Sequence, residues 1–372
     1  MDYQLSRELQ ALSAEATEFA RHWAAKCEIR EDSWLRGVDR EFSRELGERG
    51  WLGMCWPRRW GGGERSALER FVVVEALISN GAPCAASWFP DRQIGPTLLQ
   101  FGTDEQRARF LAPMVAGEAM WGIGMSEPDA GSDVASIRTA ATRTGDEWVI
   151  NGQKVWTSGA ADADWIYLIA RTDPTAPPHR GLSEFIVDCT SPGVTIVPIR
   201  DMTDDRHFCE IYFEDVVVPE SLRVGELNGA FGQVMRQMEH ERGGIDRLCS
   251  NAALFRDVVE QVPLSDSLRI RAAELKGQYC IGRLMVLREV LGQAEPGYSA
   301  VTKTWCTEFE QRVAEFCVAA LGPASLLSGP SGTLSARASR NICYAPGYTI
   351  MGGTTEILRN ICGERLLGLP KV

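Results

Sequence analysis

The sequence lacks the features that mark exported and membrane-spanning proteins. It contains no apolar run of the roughly 20 residues that a transmembrane helix requires. Its N-terminal residues, MDYQLS, do not follow the basic-then-apolar order of a secretion signal. We therefore expect a cytoplasmic protein without a membrane span.

An excess of basic residues is also missing. The chain carries 50 acidic and 39 basic residues, which gives a formal net charge of −11. Nucleic-acid-binding domains usually present a basic surface, so this composition argues against nucleic acid as a partner. An anionic small molecule remains compatible with the charge, because a local basic pocket is enough to bind it.

Metal-ligand and disulfide patterns are absent from the sequence. The four histidines have no ligand-like spacing. The 11 cysteines include no Cys-x-x-Cys pair and no paired framework. We expect reduced thiols that pack as small hydrophobic groups, and no metal site.

The patterns that are present predict an α+β protein with several domains. The chain has 372 residues, of which 44% are hydrophobic, and this is enough for a large core. Residues 1–118 show a helical repeat of apolar positions, beginning at Leu5, Leu9 and Leu12. The repeat continues through 45–52, and the sequence from Thr103 to Gln106 is a helix-start signal.

The middle and the end of the chain differ in the spacing of their apolar residues. Within 119–219, apolar residues recur at every second position in short runs, which favours a β-barrel or sandwich. In 220–372 the helical spacing returns and predicts a C-terminal helical bundle. The predicted strands cover 148–150, 165–169, 184–187, 194–197 and 210–213. The predicted helices cover 230–242, 244–261, 265–293, 298–321 and 354–367.

The stretch 121–160 combines tight loops with polar side chains and one flat aromatic ring. A planar ligand with polar edges suits such a set, because the indole can contact the ring while hydroxyl and amide groups bind its heteroatoms. Loops rich in glycine and serine are, however, usually plain turns between strands. The candidate groups are the hydroxyls of Ser126, Ser132, Thr157 and Ser158 and the indole of Trp156.

Two runs in this stretch resemble a known family. EPDAGSD at residues 127–133 and KVWTS at 154–158 are similar to the two flavin-contacting signatures of the acyl-CoA dehydrogenases. WPRRWGG at 56–62 resembles the same family's N-terminal domain. The resemblance covers nearly the whole chain and implies three domains: a helical one at 1–118, a central β domain at 119–219 and a helical one at 220–372.

A candidate catalytic carboxylate lies in the run 231–242. If this run is a helix, Val234, Met238 and Glu241 share one face, and an apolar environment would raise the pKa and the basicity of that glutamate. On the pattern alone, the favoured interpretation is a buried ion pair, with Arg242 or with an arginine of a partner chain. The family resemblance favours catalysis, because Glu241 matches one of two places where these enzymes carry their base. The other place corresponds to Gly352, which has no carboxylate.

The resemblance also implies the cofactor, the substrate and the reaction. The cofactor is FAD, the substrate an acyl-CoA thioester, and the product a trans-2-enoyl-CoA, with an electron-transfer flavoprotein as acceptor. Glu241 takes the α-proton, the flavin N5 accepts the β-hydride, and a backbone amide near Gly352 holds the enolate oxygen. The implied flavin contacts are Met125, Ser126, Ser132, Trp156, Thr157, Ser158, Gly353, Thr354 and Glu356. The implied acyl-CoA contacts are Ser132, Met238, Glu239, Arg242 and Gly352.

The chain departs from the family in a segment that completes a neighbouring subunit's flavin site in many relatives. Residues 254–264 lack the usual Arg-x-x-Phe-Gly sequence, although Arg256 could substitute, and residues 321–330 replace a glycine-rich segment. We therefore expect an α2β2 assembly with a homologous acyl-CoA dehydrogenase chain, like those of actinobacterial steroid side-chain enzymes. A homodimer or homotetramer with altered FAD contacts is the alternative.

Two other functions fit the same fold. A flavin-dependent acyl-CoA oxidase or monooxygenase would react with oxygen, but a monooxygenase needs no base for an α-proton. A partner subunit with little activity of its own would not need Glu241. The acyl group itself cannot be deduced from the sequence, because several segments together shape its pocket.

Overall fold

The computed structural model describes residues 5–28, 31–235, 244–327 and 332–370. Among these residues, helices form most of the chain before residue 121 and after residue 244, and strands are the main regular structure of the part between. The predicted order of helical, β and helical parts is therefore confirmed. Among the described residues, no helix has both the length and the apolar character needed to cross a bilayer.

The helices of the first part begin and end at local sequence signals. The hydroxyl of Thr103 accepts a hydrogen bond from the main-chain amide of Gln106, and the main-chain amide of Thr103 donates one to Gln106 Oε1, so the predicted start signal is a capping box. The helix predicted through 45–52 ends earlier, at Glu48, because Gly50 takes a φ of 65° and closes the last turn. These helices are Arg7–Ala24, Arg40–Glu48, Ala67–Ser79, Ala85–Phe89, Gly95–Phe101 and Asp104–Val115.

Within the described ranges, the central part contains one sheet of eight strands. The strand order is β6-β7-β3-β2-β4-β5-β8, and β1 lies parallel to β4. Most neighbouring strands are antiparallel. The strands are β1 Trp121–Gly124, β2 Ala140–Thr144, β3 Glu147–Ser158, β4 Trp165–Arg171, β5 Leu182–Asp188, β6 Val194–Ile199, β7 Phe208–Pro219 and β8 Arg223–Val224.

The sheet bends over itself around an apolar core. Trp148 on β3 contacts Phe185 on β5 with ring centroids 5.4 Å apart, although two strands separate β3 from β5 in the sheet. Ile150 and Ile211 are fully buried in the same cluster. Phe110 and its neighbours on the helix Asp104–Val115 pack on the opposite face of β1 and β4. This folded, two-faced sheet agrees with the predicted barrel or sandwich.

The last part of the chain is helical, as predicted, but its second predicted helix is divided. The predicted segment 244–261 breaks at Asn251, because the main-chain amide of Asn251 donates to Glu310 Oε2 and its side chain donates to the carbonyl oxygen of Glu310. The described helices are Asp246–Cys249, Ala252–Gln261, Asp266–Val290, Ser299–Leu321, Leu334–Tyr344 and Thr355–Ile361, the last followed by a π-helical turn at Cys362–Leu366.

By packing, the chain divides into two compact units. Unit 1 comprises Met1–Gly37, Arg65–Cys84 and Glu239–Val372, and unit 2 comprises Val38–Glu64 and Ala85–Met238. The 11 cysteines, all within the described ranges, are free thiols distributed over both units. Burial raises the pKa of the Cys249 and Cys306 thiols well above the ordinary value, so both remain protonated and pack as apolar groups.

Candidate functional site

The first candidate segment, residues 125–133, follows β1 in unit 2 and is hydrogen-bonded to β3 through its main chain. Met125 and Ser126 are half-buried, and the amide of Val155 on β3 donates a 2.9 Å hydrogen bond to the carbonyl oxygen of Ser126. Met125 packs against the apolar cluster around Ile169 and Val234. Ser132, farther along, is exposed. The segment therefore presents a fixed main chain beside a solvent-accessible serine.

A buried ion pair joins this segment to β3. The ammonium nitrogen of Lys154 lies 2.8 Å from Glu127 Oε1 and donates a 3.0 Å hydrogen bond to the carbonyl oxygen of Met125. The Glu127 carboxylate also accepts from the main-chain amides of Arg138 and Thr139, at 2.6 and 2.9 Å. Burial alone would raise the pKa of Glu127, but the charge and hydrogen bonds around it hold that pKa below its usual value.

Trp156 has an unusual conformation for its residue type. Its φ is 60°, a left-handed backbone that bulky side chains rarely adopt, and it lies in a β-bulge where the pairing of β3 with β7 shifts between Lys154 and Thr157. The side chain is 56% exposed, and Phe208 meets it edge-on with ring centroids 5.5 Å apart. Strained backbones and exposed aromatic rings of this kind concentrate at ligand sites.

The next two residues add hydroxyl groups. Thr157 is buried, and among the described residues its Oγ1 has no hydrogen-bond partner. Ser158, the last residue of β3, is half-buried. Buried hydroxyls are normally hydrogen-bonded. A buried hydroxyl without such a bond, next in sequence to an exposed tryptophan, therefore indicates a position where a polar atom of a ligand can bind. A flavin, with heteroatoms along the edge of a flat ring, fits this set of groups.

In unit 1, the loop before the last helix contains the other predicted flavin contacts. Gly352 and Gly353 have φ values of 69° and 95°, so glycine is required at both by the backbone. Thr354 caps the helix Thr355–Ile361 by accepting from the amide of Ile357, as predicted. Glu356 is exposed in the first turn, and its own backbone amide keeps the pKa of its carboxyl below the usual range.

A buried lysine that no sequence pattern singled out supports this loop. The ammonium nitrogen of Lys303, on the helix Ser299–Leu321, donates a 2.6 Å hydrogen bond to the carbonyl oxygen of Gly353, and its side chain is fully buried. The two residues are 50 positions apart, so no local pattern could reveal the contact. Glu127 and Lys154, in contrast, could have been selected from the sequence, because they are the first residues of the two family-like runs 127–133 and 154–158.

Two further predictions concern residues elsewhere in the sequence. Glu241, Met238, Glu239 and Arg242 lie outside the described residues, so their roles stay predictions. Arg256, which could replace a family contact to a neighbouring subunit, instead donates to Asn80 Oδ1 at 3.1 Å and to the carbonyl oxygen of Ser79 at 3.4 Å. Its guanidinium thus binds residues of its own unit.

Family profiles cover almost all of the sequence. The N-terminal, middle and C-terminal domains of acyl-CoA dehydrogenases match residues 6–118, 122–216 and 231–367. The chain belongs to the acyl-CoA dehydrogenase family. It is therefore an oxidoreductase of this family with its α+β fold, and membership implies a flavin cofactor. The domain boundaries at 118/119 and 219/220 stay predictions.

Individual relatives include proteins of Mycobacterium tuberculosis. Acyl-CoA dehydrogenase FadE26 is 32% identical over 395 residues, covering 99% of this chain and 97% of FadE26. Acyl-CoA dehydrogenase FadE34 is 34% identical over 88% of this chain, which spans only 46% of FadE34.

Similar solved structures include a steroid ACAD and a complex from M. tuberculosis. The Tcur3481-Tcur3483 steroid ACAD has a TM-score of 0.90 and 31% identity, with 100% of both chains covered. The ChsE4-ChsE5 complex of M. tuberculosis has a TM-score of 0.88 and 30% identity, again with 100% of both chains covered.

Proposed function

We propose that this acyl-CoA dehydrogenase uses FAD to desaturate an acyl-CoA thioester between Cα and Cβ, forming the trans-2-enoyl-CoA. The observation that carries the proposal is the strained, exposed Trp156 next to the buried hydroxyl of Thr157, within the run that resembles the family's flavin signature. Strain at an exposed aromatic residue is retained where it serves a ligand.

The residues that would hold FAD come from two segments. The first set is Met125, Ser126, Ser132, Trp156, Thr157 and Ser158, which offer main-chain groups, hydroxyls and one indole face. The second set, implied by the family resemblance, is Gly353, Thr354 and Glu356, in the loop and first helical turn beside Lys303. Bound FAD would supply the acceptor for the hydride that leaves Cβ.

The chain itself would supply the base and the oxyanion donor. Glu241 takes the proton from Cα, and the electron pair left there becomes the new C=C bond as the hydride departs from Cβ. A main-chain amide near Gly352 would donate to the thioester oxygen as negative charge develops on it. A preorganised donor of this kind typically lowers a barrier by about 3–4 kcal/mol. The fixed φ values at Gly352 and Gly353 support such preorganisation.

The acyl-CoA would be bound by Ser132, Met238, Glu239, Arg242 and Gly352. Arg242 offers a cation for the anionic substrate within a chain whose net charge is −11. The steroid ACAD among the similar structures supports a bulky, steroid-derived acyl group as the first to test. An electron-transfer flavoprotein is the proposed acceptor of the electrons, and the cytoplasm the proposed location.

We infer further that the chain works in an α2β2 assembly with a homologous chain. The ChsE4-ChsE5 complex supports this, as do the altered segments 254–264 and 321–330 and the engagement of Arg256 with Asn80. A homodimer or homotetramer that is fully loaded with FAD and active alone would contradict the assembly without contradicting the reaction.

The test is anaerobic mixing of the purified protein, alone and with candidate partner chains, with a panel of acyl-CoA thioesters. We expect at least one thioester to bleach the visible flavin absorbance and to appear as the enoyl product. Fast reoxidation of the reduced protein by air would favour the oxidase or monooxygenase alternative. A flavin-free protein, with or without partners, would contradict the proposal and leave the non-catalytic subunit as the better description.

A further inference from the structure

We propose that Lys154 and Glu127 are positioning residues for the cofactor, because they fix the main chain of Met125 and Ser126 relative to Trp156. This inference rests on the proposed function, since it takes these three residues as flavin contacts. It assigns a role to two side chains that are not themselves in the predicted contact set.

The contacts of Lys154 join the two candidate stretches directly. One donor of the ammonium group goes to the carbonyl oxygen of Met125 at 3.0 Å, and another to Glu127 Oε1 at 2.8 Å. The adjacent amide, that of Val155, donates to the carbonyl oxygen of Ser126 at 2.9 Å. Three consecutive residues of the first stretch are therefore held by two consecutive residues of β3.

The carboxylate of Glu127 extends this link to a third segment. It accepts hydrogen bonds from the main-chain amides of Arg138 and Thr139, which lead into β2. A carboxylate that accepts two amides and one ammonium has its direction fixed. Glu127 thereby holds the ammonium nitrogen of Lys154 in place. Moving this nitrogen away from the carbonyl oxygen of Met125 would also break the ion pair.

Burial makes this arrangement sensitive to any single change. The Lys154 side chain is 0% exposed and that of Glu127 is 8% exposed. Buried ion pairs contribute little net stability, but removing one partner leaves an uncompensated charge in a poorly solvated place. An apolar pair would stabilise this position as well, so stability alone does not explain a lysine here.

The position of Lys154 on β3 points to the cofactor. Trp156, two residues farther along the strand, has the strained φ of 60° and the exposed indole. A lysine that fixes the carbonyl of Met125 and precedes this bulge determines how far the first stretch lies from the tryptophan. Groups that bind one rigid ring need such a fixed separation.

The experiment compares FAD affinity in the intact protein, with its partner chain where one co-purifies. The key variant combines Lys154→Met with Glu127→Gln, because it removes both buried charges and leaves one side-chain oxygen, which can accept from the main-chain amide of Arg138 or of Thr139. We expect its FAD dissociation constant to rise at least about tenfold, which corresponds to about 1.4 kcal/mol. We also expect the visible flavin spectrum and midpoint potential to shift, which a purely structural role would not cause.

The matched control is Tyr167→Phe. It removes another buried hydrogen bond of the same sheet, from the Tyr167 hydroxyl to Glu184 Oε2 at 2.8 Å, and neither residue is among the predicted flavin contacts. It should lower thermal stability and leave the FAD dissociation constant and the flavin spectrum unchanged.

Each outcome bears on a definite claim. A folded double variant that binds FAD with the wild-type constant and spectrum would overturn the positioning role and leave the proposed function intact. The double variant is measured in place of the single variant Lys154→Met, because the single change leaves the buried charge of Glu127 unpaired. A wild-type protein that takes up no flavin would overturn the proposed function as well.

Discussion

The ammonium nitrogen of Lys303 lies 2.6 Å from the carbonyl oxygen of Gly353, and the lysine side chain is fully buried. This carbonyl belongs to the pair Gly352–Gly353. The proposed mechanism places its main-chain donor to the thioester oxygen near this pair. A loop of two glycines has few side-chain contacts of its own, so an external donor is needed to restrict it. Lys303 provides that donor from the helix Ser299–Leu321.

Replacing Lys303 with methionine should therefore loosen the Gly352–Gly353 loop. The change removes the donor and leaves the Gly353 carbonyl unpaired, which typically costs about 1–3 kcal/mol of unfolding free energy. We also expect kcat to fall by about tenfold or more, because small misplacements of a catalytic donor are costly. Denaturant unfolding and steady-state rates measure both effects. Lys276→Met, at an exposed lysine of the helix Asp266–Val290, is the control and should change neither.

Replacing Trp156 with glycine should separate stability from cofactor binding. Glycine relieves a left-handed strain of about 1–3 kcal/mol, but the variant loses the edge-on contact with Phe208, worth about 0.5–1.5 kcal/mol. We expect the two effects largely to cancel in the flavin-free protein, while FAD binding weakens clearly. Thermal unfolding with and without FAD measures this. If Trp156→Gly gained as much stabilisation from FAD as the wild type, the indole would not contact the cofactor.

Stability should depend on pH through Lys154. Burial lowers the pKa of this ammonium from 10.5 to about 8, against the raising effect of Glu127 and with a further lowering by Arg171. Between these two pH values the unfolded chain holds a proton that the folded protein has released. The free energy of unfolding therefore rises with pH in this window, by about 3 kcal/mol in total at about 1.4 kcal/mol per pKa unit.

The reference for this measurement is the double variant Lys154→Met with Glu127→Gln, which has no titrating group at either position. Buried thiols such as Cys249 and Cys306 have raised pKa values and act in the opposite direction in both proteins, so subtraction removes their effect. A wild-type minus variant difference that stays flat from pH 8 to pH 10.5 would show that Lys154 has an ordinary pKa.

The sequence predicted what depends on neighbouring residues. Thr103 with Gln106 and Thr354 with the amide of Ile357 both form the caps expected from their spacing of three. The alternating runs predicted strands at the right places, but shorter than the observed β3 and β7. The bulge at Trp156 explains part of this, because the shifted pairing lets β3 continue to Ser158 through a run that resembles a loop.

What the sequence could not predict depends on residues far apart in the chain. The break at Asn251 results from Glu310, 59 positions later, and the support of Gly353 comes from Lys303. The left-handed backbone of Trp156 contradicts the usual preference of its residue type, so no propensity rule could predict it. The family resemblance predicted which stretches contact flavin, and this stays a prediction; it gave no reason for the buried pair that joins the two stretches.

The central claim is that Glu241 takes a proton as the bound flavin is reduced. The most direct measurement is the rate of anaerobic flavin bleaching by the acyl-CoA that reduces the wild type fastest, in Glu241→Gln and in Glu260→Gln, an exposed glutamate of the helix Ala252–Gln261. We predict that Glu241→Gln retains FAD and binds the thioester but bleaches about 100-fold to 10,000-fold more slowly, the usual contribution of a general base. Glu260→Gln should bleach at the wild-type rate. Bleaching of Glu241→Gln at the wild-type rate would contradict the account.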